Sequence, residues 1–391
     1  MTHLRSHFAD LLVTFVILVG QIPIAFLFWR KRRQMPALLA IACSVALLFL
    51  WTAVLFASPY RFFVRYHVLE FVPYSTRNLL IAVGNTWGML SVLSLAVYYL
   101  FRVFALRSPV THSPGRRRLI QTAGTVAAGA PFVAGAFGAI VERTNFQVKE
   151  IDLPVTNLHP DFEGFRIGQL SDLHCSPWLS VREAARVVDM LNEQKPDLMV
   201  VTGDLVTEPG DPLDAAIREV GRLRADFGVL GCHGNHEIYV ECEDYASSEL
   251  AKRGIRILRH ESQEIRRGNG ALNIAGIDYQ SKRFAPYLVR GSELVRPGMA
   301  NLLLSHNPDV FPVAVKKGFD AVLSGHTHGG QVTVEYLNQA LNIARFATPY
   351  VAGLYRIDGR SCYVTAGIGT IALPVRLGAP PEITIARLVR A

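Results

Sequence analysis

Five short blocks hold most of the residues in this chain that could do chemistry together. "SDLH" brings Asp172 and His174, "TGD" brings Asp204, and "HGNHE" brings Asn235 and His236. "SHN" then brings His306, and "SGHTHGGQ" brings His326 and His328. Each block follows a short apolar run: "IGQL", "LMVV", "GVLGC", "NLLL" and "AVL". Ligands of open α/β sheets gather beyond the carboxyl ends of strands, so these turns are predicted to converge. Asp172 and His174 stand two apart, as do His326 and His328, and in extended backbone such neighbours leave on the same side. Gly203, Gly234, Gly325, Gly329 and Gly330 permit sharp turns and a close approach of backbone to an ion. Carboxylates, imidazoles and an amide oxygen together suit borderline divalent ions such as Mn2+, Zn2+ or Fe2+. No cluster of thiolates is available for a structural zinc. A single strand-end histidine is more often a satisfied hydrogen-bonding group, but five such blocks in succession point to metal.

The elements that must position these blocks alternate between short apolar runs and amphipathic stretches. "SVREAARVVDMLNEQ" places Val181, Ala184, Val188 and Leu191 on one helical face, with Ser180 as N-cap. "PLDAAIREVGRLRA" and "NPDVFPVAVKKG" predict two more helices, the second interrupted by Pro312. Strand and helix in repeated order imply an α/β domain with buried sheets.

Upstream the composition changes. Half of the 391 residues are hydrophobic and the mean hydropathy is +0.24, which predicts a membrane part joined to a globular part. Apolar stretches run over about 11–29, 37–57, 79–100 and 119–141. The first three are long enough to cross a hydrocarbon core of ~30 Å at ~1.5 Å per helical residue. The fourth is rich in Gly and Ala and follows "SPGRRR"; it reads as a twin-arginine export signal or as a plain fourth span. A membrane domain over 1–141 and a globular domain over 148–391 are expected.

The net charge of +8 is concentrated in two blocks, Arg30–Arg33 and Arg116–Arg118, each abutting an apolar stretch. Without interleaved aromatic residues for stacking, these blocks fit the positive-inside rule better than nucleic-acid binding, and no nucleic-acid partner is expected. Placing both in the cytoplasm puts everything after residue 141 outside, although the 58–78 loop, also outside, carries Arg61, Arg65 and Arg77. The expectation is a multi-pass inner-membrane protein with a periplasmic globular domain. Cys43, Cys175, Cys232, Cys242 and Cys362 show no CxxC spacing, so free thiols are expected, with a Cys232–Cys242 bridge as the alternative and Cys175 as a packing thiol.

In sequence order, "SDLH", "GD", "GNHE", "SHNP" and "GHTHGGQ" resemble the signature blocks of calcineurin-like metallophosphoesterases, over about Val148 to Arg390. The resemblance implies a four-layer αββα sandwich of two mixed sheets, here preceded by about four transmembrane helices. It also implies a dinuclear site at the strand ends. Asp172, His174, Asp204 and His328 would hold one divalent ion, and Asp204, Asn235, His306 and His326 the other, with Asp204 bridging. His236 would not ligate but would sit over the substrate phosphate. Two such ions clamp phosphoryl oxygens and lower the pKa of a shared water, so that hydroxide attacks phosphorus in line. His236 would then stabilise the transition state or protonate the leaving oxygen.

Thr207 stands where purple acid phosphatases carry their iron-ligating tyrosine, which argues against a ferric tyrosinate centre. The tail "GIGTIALPVRLGAPPEITIARL" resembles the closing segment of membrane-associated members; Arg376 within it is read as a binder of a second substrate phosphate or as a solvated surface residue. "LNQALNIARFATPYVAGLY" is read as a lip facing the membrane or as a strand pair packing on the core. The expected function is metal-dependent hydrolysis of a phosphodiester or pyrophosphate, on a phospholipid or a lipid-linked phosphoester in contact with membrane lipids. UDP-diacylglucosamine of lipid A biosynthesis is one candidate the resemblance suggests. The alternatives are hydrolysis of soluble small phosphoesters, or a non-catalytic membrane binding protein with a phosphoesterase-like domain. The sequence gives no indication of oligomeric state.

Overall fold

Two stretches of different chemistry fold as two compact units, Met1–Ala139 with Ala372–Pro374, and Ile140–Ile371 with Val375–Ala391. The computed structural model describes residues 2–57, 72–107, 114–281, 286–336 and 339–391.

The first unit is helical: α1 (Thr2–Arg32), α2 (Ala37–Ala57), α3 (Tyr74–Arg107) and α4 (Pro114–Ile140). Within and beyond these helices, Thr14–Arg32, Ala37–Ala57, Tyr74–Phe104 and Arg118–Thr144 are long and apolar enough to cross a membrane. Phe15, Ile22, Leu38 and Leu48 are exposed on them, as lipid-facing side chains must be. α2 and α3 cross at a point only glycine tolerates, since a Cβ on Gly84 would lie 2.2 Å from the Ala53 carbonyl oxygen. Between α1 and α3 the Trp87 indole N–H donates to Gln21 Oε1 (2.9 Å), and Gln21 Nε2 donates to Ser91 Oγ (3.0 Å). The 58–78 segment is not loop to its end, because α3 already includes Arg77; Arg61 and Arg65 lie outside the described residues.

The second unit is built on two six-stranded sheets. The first contains β1 (Gln147–Val155), β2 (Arg166–Leu170), β3 (Leu198–Val201), β4 (Val229–Gly231), β5 (Ile255–Ile257) and the C-terminal β14 (Glu382–Arg390), in the order β1-β14-β2-β3-β4-β5. The second contains β6 (Glu261–Arg267), β7 (Gly270–Gly276), β8 (Ala300–Leu304), β9 (Ala321–Ser324), β12 (Gly353–Ile357) and β13 (Arg360–Val364), in the order β12-β13-β9-β8-β7-β6. β10 (Thr333–Tyr336) and β11 (Gln339–Asn342) form a separate antiparallel hairpin. The segment read as a lip or strand pair is therefore split: β11 belongs to the hairpin, β12 to an edge of the second sheet, and residues 337 and 338 lie outside the described residues.

Strand alternation divides the apolar side chains between layers. In β3, Leu198 and Val200 enter the core between the sheets, while Met199 and Val201 enter the core under the outer helices. In β8, Ala300, Leu302 and Leu304 face the same inner core, and Leu303 faces outward with Phe311 and Ala314. Helices α5 (Val181–Glu193) and α6 (Leu213–Val220) cover the first sheet through Val187, Val188, Leu191 and Ile217, and α9 (Phe311–Lys317) covers the second. The result is the four-layer αββα sandwich, with mixed strand directions in both sheets. Ser180 caps α5 in a full capping box with Glu183. Pro312 does not interrupt a helix: it lies in the first turn of α9, after a separate 3-10 turn at Pro308–Val310, where a missing N–H costs nothing. All five cysteines are free thiols, and Cys175 is buried in the helix-side core of the first sheet.

Candidate metal centre

Five strands, β2, β3, β4, β8 and β9, end beside one another, and the turn after each carries one block. Asp172 and His174 follow β2, Asp204 follows β3, and Asn235 and His236 open α7 (Asn235–Val240) after β4. His306 follows β8, and His326 and His328 follow β9. His306 Nε2 lies 3.0 Å from Asp204 Oδ2 and 3.8 Å from Asp172 Oδ1. His174 Nε2 lies 3.4 Å from Asp204 Oδ2, and His328 Nε2 lies 3.5 Å from Asp172 Oδ1. Three groups keep their ligand atoms within 4.8 Å of one another: Asp172/His174/His328, His174/Asp204/His236 and Asp204/His306/His326. Asn235 stands between Gly234 and His236, whose backbones both press on the Asp204 carboxylate; the His236 N–H donates to Asp204 Oδ1 (2.9 Å). The predicted set, Asp172, His174, Asp204, Asn235, His236, His306, His326 and His328, is thus assembled in one place. All are buried except His326, which is half-buried.

The pairs two residues apart reach the site differently from the expectation. Asp172, His174, Asp204, His326 and His328 all have left-handed backbone, with φ between 46° and 77°. Side chains two apart therefore converge through local turns rather than through the pleat of an extended strand. Each such turn costs on the order of a kcal/mol, so the surrounding contacts must hold it. The site turns hold one another: Asp172 N–H donates to the Gly203 carbonyl (3.0 Å), His174 N–H to the Asp204 carbonyl (3.0 Å), and His326 N–H to the Asp172 carboxylate (3.0 Å). Close approach is most severe at Gly234, where a Cβ would sit 2.1 Å from Asp204 Oδ1.

Second contacts orient the rings. The Thr202 carbonyl lies 2.6 Å from His306 Nδ1, the Gly369 carbonyl 3.3 Å from His328 Nδ1, and the Thr207 carbonyl 2.5 Å from His236 Nδ1. A carbonyl can only accept, so each Nδ1 carries the proton and each Nε2 is left as the ligating or proton-accepting atom. Thr207 Oγ1 is 3.0 Å from His174 Nδ1, so one threonine orients two histidines. Glu237 accepts from three backbone N–H groups, of Asp204 (3.0 Å), Leu205 (2.6 Å) and Gly234 (2.8 Å), and so ties the second block to the third.

The polar bookkeeping fits a divalent ion. Asn235 Oδ1 is fully buried with no hydrogen bond, and the buried His174 Nε2 and His306 Nε2 meet only carboxylate oxygens, at 3.4 and 3.0 Å from Asp204 Oδ2, an arrangement that is costly unless a ligand satisfies it. Burial penalises charge on Asp204, yet His306 and His236 beside it hold its carboxyl well below the usual range. Burial lifts the Asp172 carboxyl. At His306 burial opposes protonation, but Asp204 and Asp172 outweigh it and raise the imidazole to about 10. Burial lowers His236, and burial together with the neighbouring His306 lowers His326 to about 3. Carboxylates, imidazoles that give up any Nε2 proton on binding, and an amide oxygen form a donor set for borderline divalent metals.

Residues 165–330 match the calcineurin-like phosphoesterase family model. The Bacillus subtilis protein named uncharacterized metallophosphoesterase YkuE is 30% identical over 272 residues, covering 67% of this chain and 93% of that one. The chain belongs to the calcineurin-like metallophosphoesterase family. It is also 30% identical over 285 residues to the Escherichia coli phosphodiesterase YaeI, covering 70% of this chain and 99% of the relative. A Danio rerio transmembrane protein with metallophosphoesterase domain is 29% identical over 264 residues, which cover 64% of this chain and 59% of that protein. The chain is accordingly a phosphoester hydrolase of a metal-dependent family, carrying membrane-length helices like its transmembrane relatives.

One expected residue falls elsewhere. Arg376 is neither solvated nor open to a substrate: it is wholly buried, and Nε and both terminal nitrogens donate to the carbonyls of Ala366, Gly367, Gly369 and Ala379. Burial lowers it to about 10. Its work is to hold the chain around Gly367 and Gly369, which in turn pack on Asp172 and His174. Glu237 lies inside the third block and Thr207 three residues past the second, and neither residue type by itself announces an orienting role. Tyr279 gave no signal at all; its ring packs 5.4 Å from His326 and 6.1 Å from His306, centroid to centroid.

Proposed function

We propose that this protein is a membrane-anchored two-metal phosphoesterase that hydrolyses a phosphodiester or pyrophosphate bond in a lipid-linked substrate. The observation that carries the hydrolytic reading is the convergence of the buried His174 Nε2, His306 Nε2 and Asn235 Oδ1 on two carboxylates, Asn235 Oδ1 having no hydrogen bond of its own. In this assignment Asp172, His174, Asp204 and His328 would hold one ion and Asp204, Asn235, His306 and His326 the other. When bound, two divalent ions polarise the phosphoryl oxygens and lower the pKa of water.

The chain's own residues do the rest. Carbonyls of Thr202, Thr207 and Gly369 keep Nδ1 protonated on His306, His236 and His328, so each presents Nε2. His236 is neutral in the resting site because burial lowers it. The negative charge of a phosphate favours proton uptake at its Nε2, and the protonated ring can pass that proton to the leaving oxygen.

Four membrane-length helices on the same chain support a lipid substrate, since tethering concentrates an enzyme at its lipid. The E. coli relative's name, phosphodiesterase, supports a diester over a monoester. The basic blocks after the first and third apolar stretches support an inner-membrane protein with its hydrolase domain in the periplasm, which favours a phospholipid; UDP-diacylglucosamine is the candidate for the opposite topology. The test is elemental analysis of the full-length protein in detergent, followed by a panel of lipid phosphoesters, soluble diesters and monoesters with Mn2+, Zn2+ or Fe2+. Bound divalent metal with turnover of lipid esters is expected. Turnover confined to soluble esters removes the lipid part of the reading; neither metal nor turnover removes all of it.

A further inference from the structure

Beside the histidine cluster lies a cavity of about 450 Å³ that the two-metal chemistry does not use. It shares one wall with the site: Tyr279 lines the cavity and packs its ring on His326 and His306. The remaining lining combines apolar and polar groups, with Val289 on one side and His260, Gln280, Ser281 and Arg290 among the others. The wall is anchored to the site-bearing strand end. Asn307, next to His306, donates from Nδ2 to the Gln280 carbonyl (2.8 Å), and the Leu288 N–H donates to Gln280 Oε1 (2.8 Å). His260 Nε2 is buried with no hydrogen-bond partner, at a residue held in left-handed backbone (φ 59°). Tyr279 stays a neutral phenol, because burial pushes it up.

A volume of this size suits one ring-bearing group, not a whole lipid. The lining offers an aromatic face together with amide, hydroxyl, imidazole and guanidinium groups, which is the complement of a ring rich in oxygen acceptors. We propose that this cavity is the subsite for one ester arm of the substrate, a cyclic hydroxyl-bearing alcohol of nucleoside or sugar type, with Tyr279 as its stacking wall. This rests on the reading of the site as a phosphodiester hydrolase and adds the class of alcohol on one side of the phosphorus. A phosphoester without a ring-bearing arm leaves the cavity empty, so the same wall makes the enzyme prefer esters that carry one.

Equilibrium dialysis of the full-length, metal-free protein in detergent against thymidine 5′-monophosphate and glucose 1-phosphate decides the subsite without requiring turnover. At least one probe is expected to bind the wild type, with affinity about tenfold weaker in Tyr279→Ala and kept in Tyr279→Phe, as for a stacking contact. Val289→Trp, at an exposed position lining the cavity, is expected to block binding while the fold is untouched. Which probe binds separates nucleoside from sugar. Binding of neither probe, or equal binding to wild type, Tyr279→Ala and Val289→Trp, overturns the proposal. With metal restored, kcat/KM for thymidine 5′-(4-nitrophenyl phosphate) should exceed that for methyl 4-nitrophenyl phosphate, and this ratio should fall in Tyr279→Ala through KM. Loss of all turnover with probe binding intact would sink the hydrolase reading and leave the subsite standing.

Discussion

His236 is where metal binding and turnover can be told apart. One of its ring nitrogens lies within 4.8 Å of ligand atoms of His174 and Asp204, so geometry alone admits it as a ligand, while the hydrolytic assignment gives it to the phosphate. His236→Ala should therefore lose about 10²–10⁴-fold in turnover while retaining metal; elemental analysis showing an emptied site would contradict that role. Asp204→Asn, by contrast, should lower occupancy of both ions together. His306 supplies the pH dependence. Raised to about 10 between two carboxylates, it is protonated at neutral pH in the metal-free site, whereas a ligating Nε2 must be bare. Metal uptake at pH 7 should then release a proton, seen as a dependence of calorimetric heat on buffer ionisation, and affinity should weaken as pH falls. The sign for the metal-free fold runs the other way from that of a depressed carboxylate. A folded-state pKa above the unfolded 6.5 gives stability that is complete below 6.5 and is lost as pH climbs toward 10, so chelated protein should melt at lower temperature at pH 10 than at pH 7.

At the scale of elements, the turns after β3 and β4 behave as one piece. Glu237, in the first turn of α7, gathers the N–H groups of Asp204, Leu205 and Gly234, while Gly234 lets that turn close on the Asp204 carboxylate. Glu237→Ala leaves three buried donors without an acceptor and should cost about 1–3 kcal/mol per donor not reached by water. A lowered melting temperature and weakened metal binding should appear together. Gly234→Ala should lower both metal affinity and stability, since its Cβ would lie 2.1 Å from the Asp204 carboxylate and 2.7 Å from the Asp204 backbone nitrogen. Equal metal affinity in wild type and Gly234→Ala would show that this close approach is not needed.

For the whole molecule, the charge of the loops between apolar segments bears on which side of the bilayer the sandwich occupies. Arg30–Arg33 and Arg116–Arg118 flank the first and fourth apolar segments, and the proposed periplasmic hydrolase domain requires four crossings with both of those loops inside. Alkaline phosphatase fused after Ala391 should be active in cells; fluorescence from a reporter that matures only in the cytoplasm would reverse the topology. An external domain favours phospholipids over nucleotide-sugar lipids, which are made on the cytoplasmic face.

Much of this was legible in the sequence because two of its signals are strictly local. Twenty-residue apolar runs declare membrane-length helices, and an apolar strand followed by a ligand-bearing glycine turn declares a strand-end site, whatever the fold around it. The candidate ligands could be picked out because each sits within a few residues of its strand. Arg376, Tyr279, Thr207 and Glu237 could not be given roles in that way. A basic residue between turns looks like surface until the fold buries it against four carbonyls, and a tyrosine far from every block becomes a wall of the site only when β7 is laid beside β8. The left-handed backbone at five site residues was equally hidden, because its strain is offset by contacts between blocks distant in the chain. Ligand identity is a property of short stretches of sequence; burial, tautomer and the cavity wall are properties of neighbours that only the tertiary structure supplies.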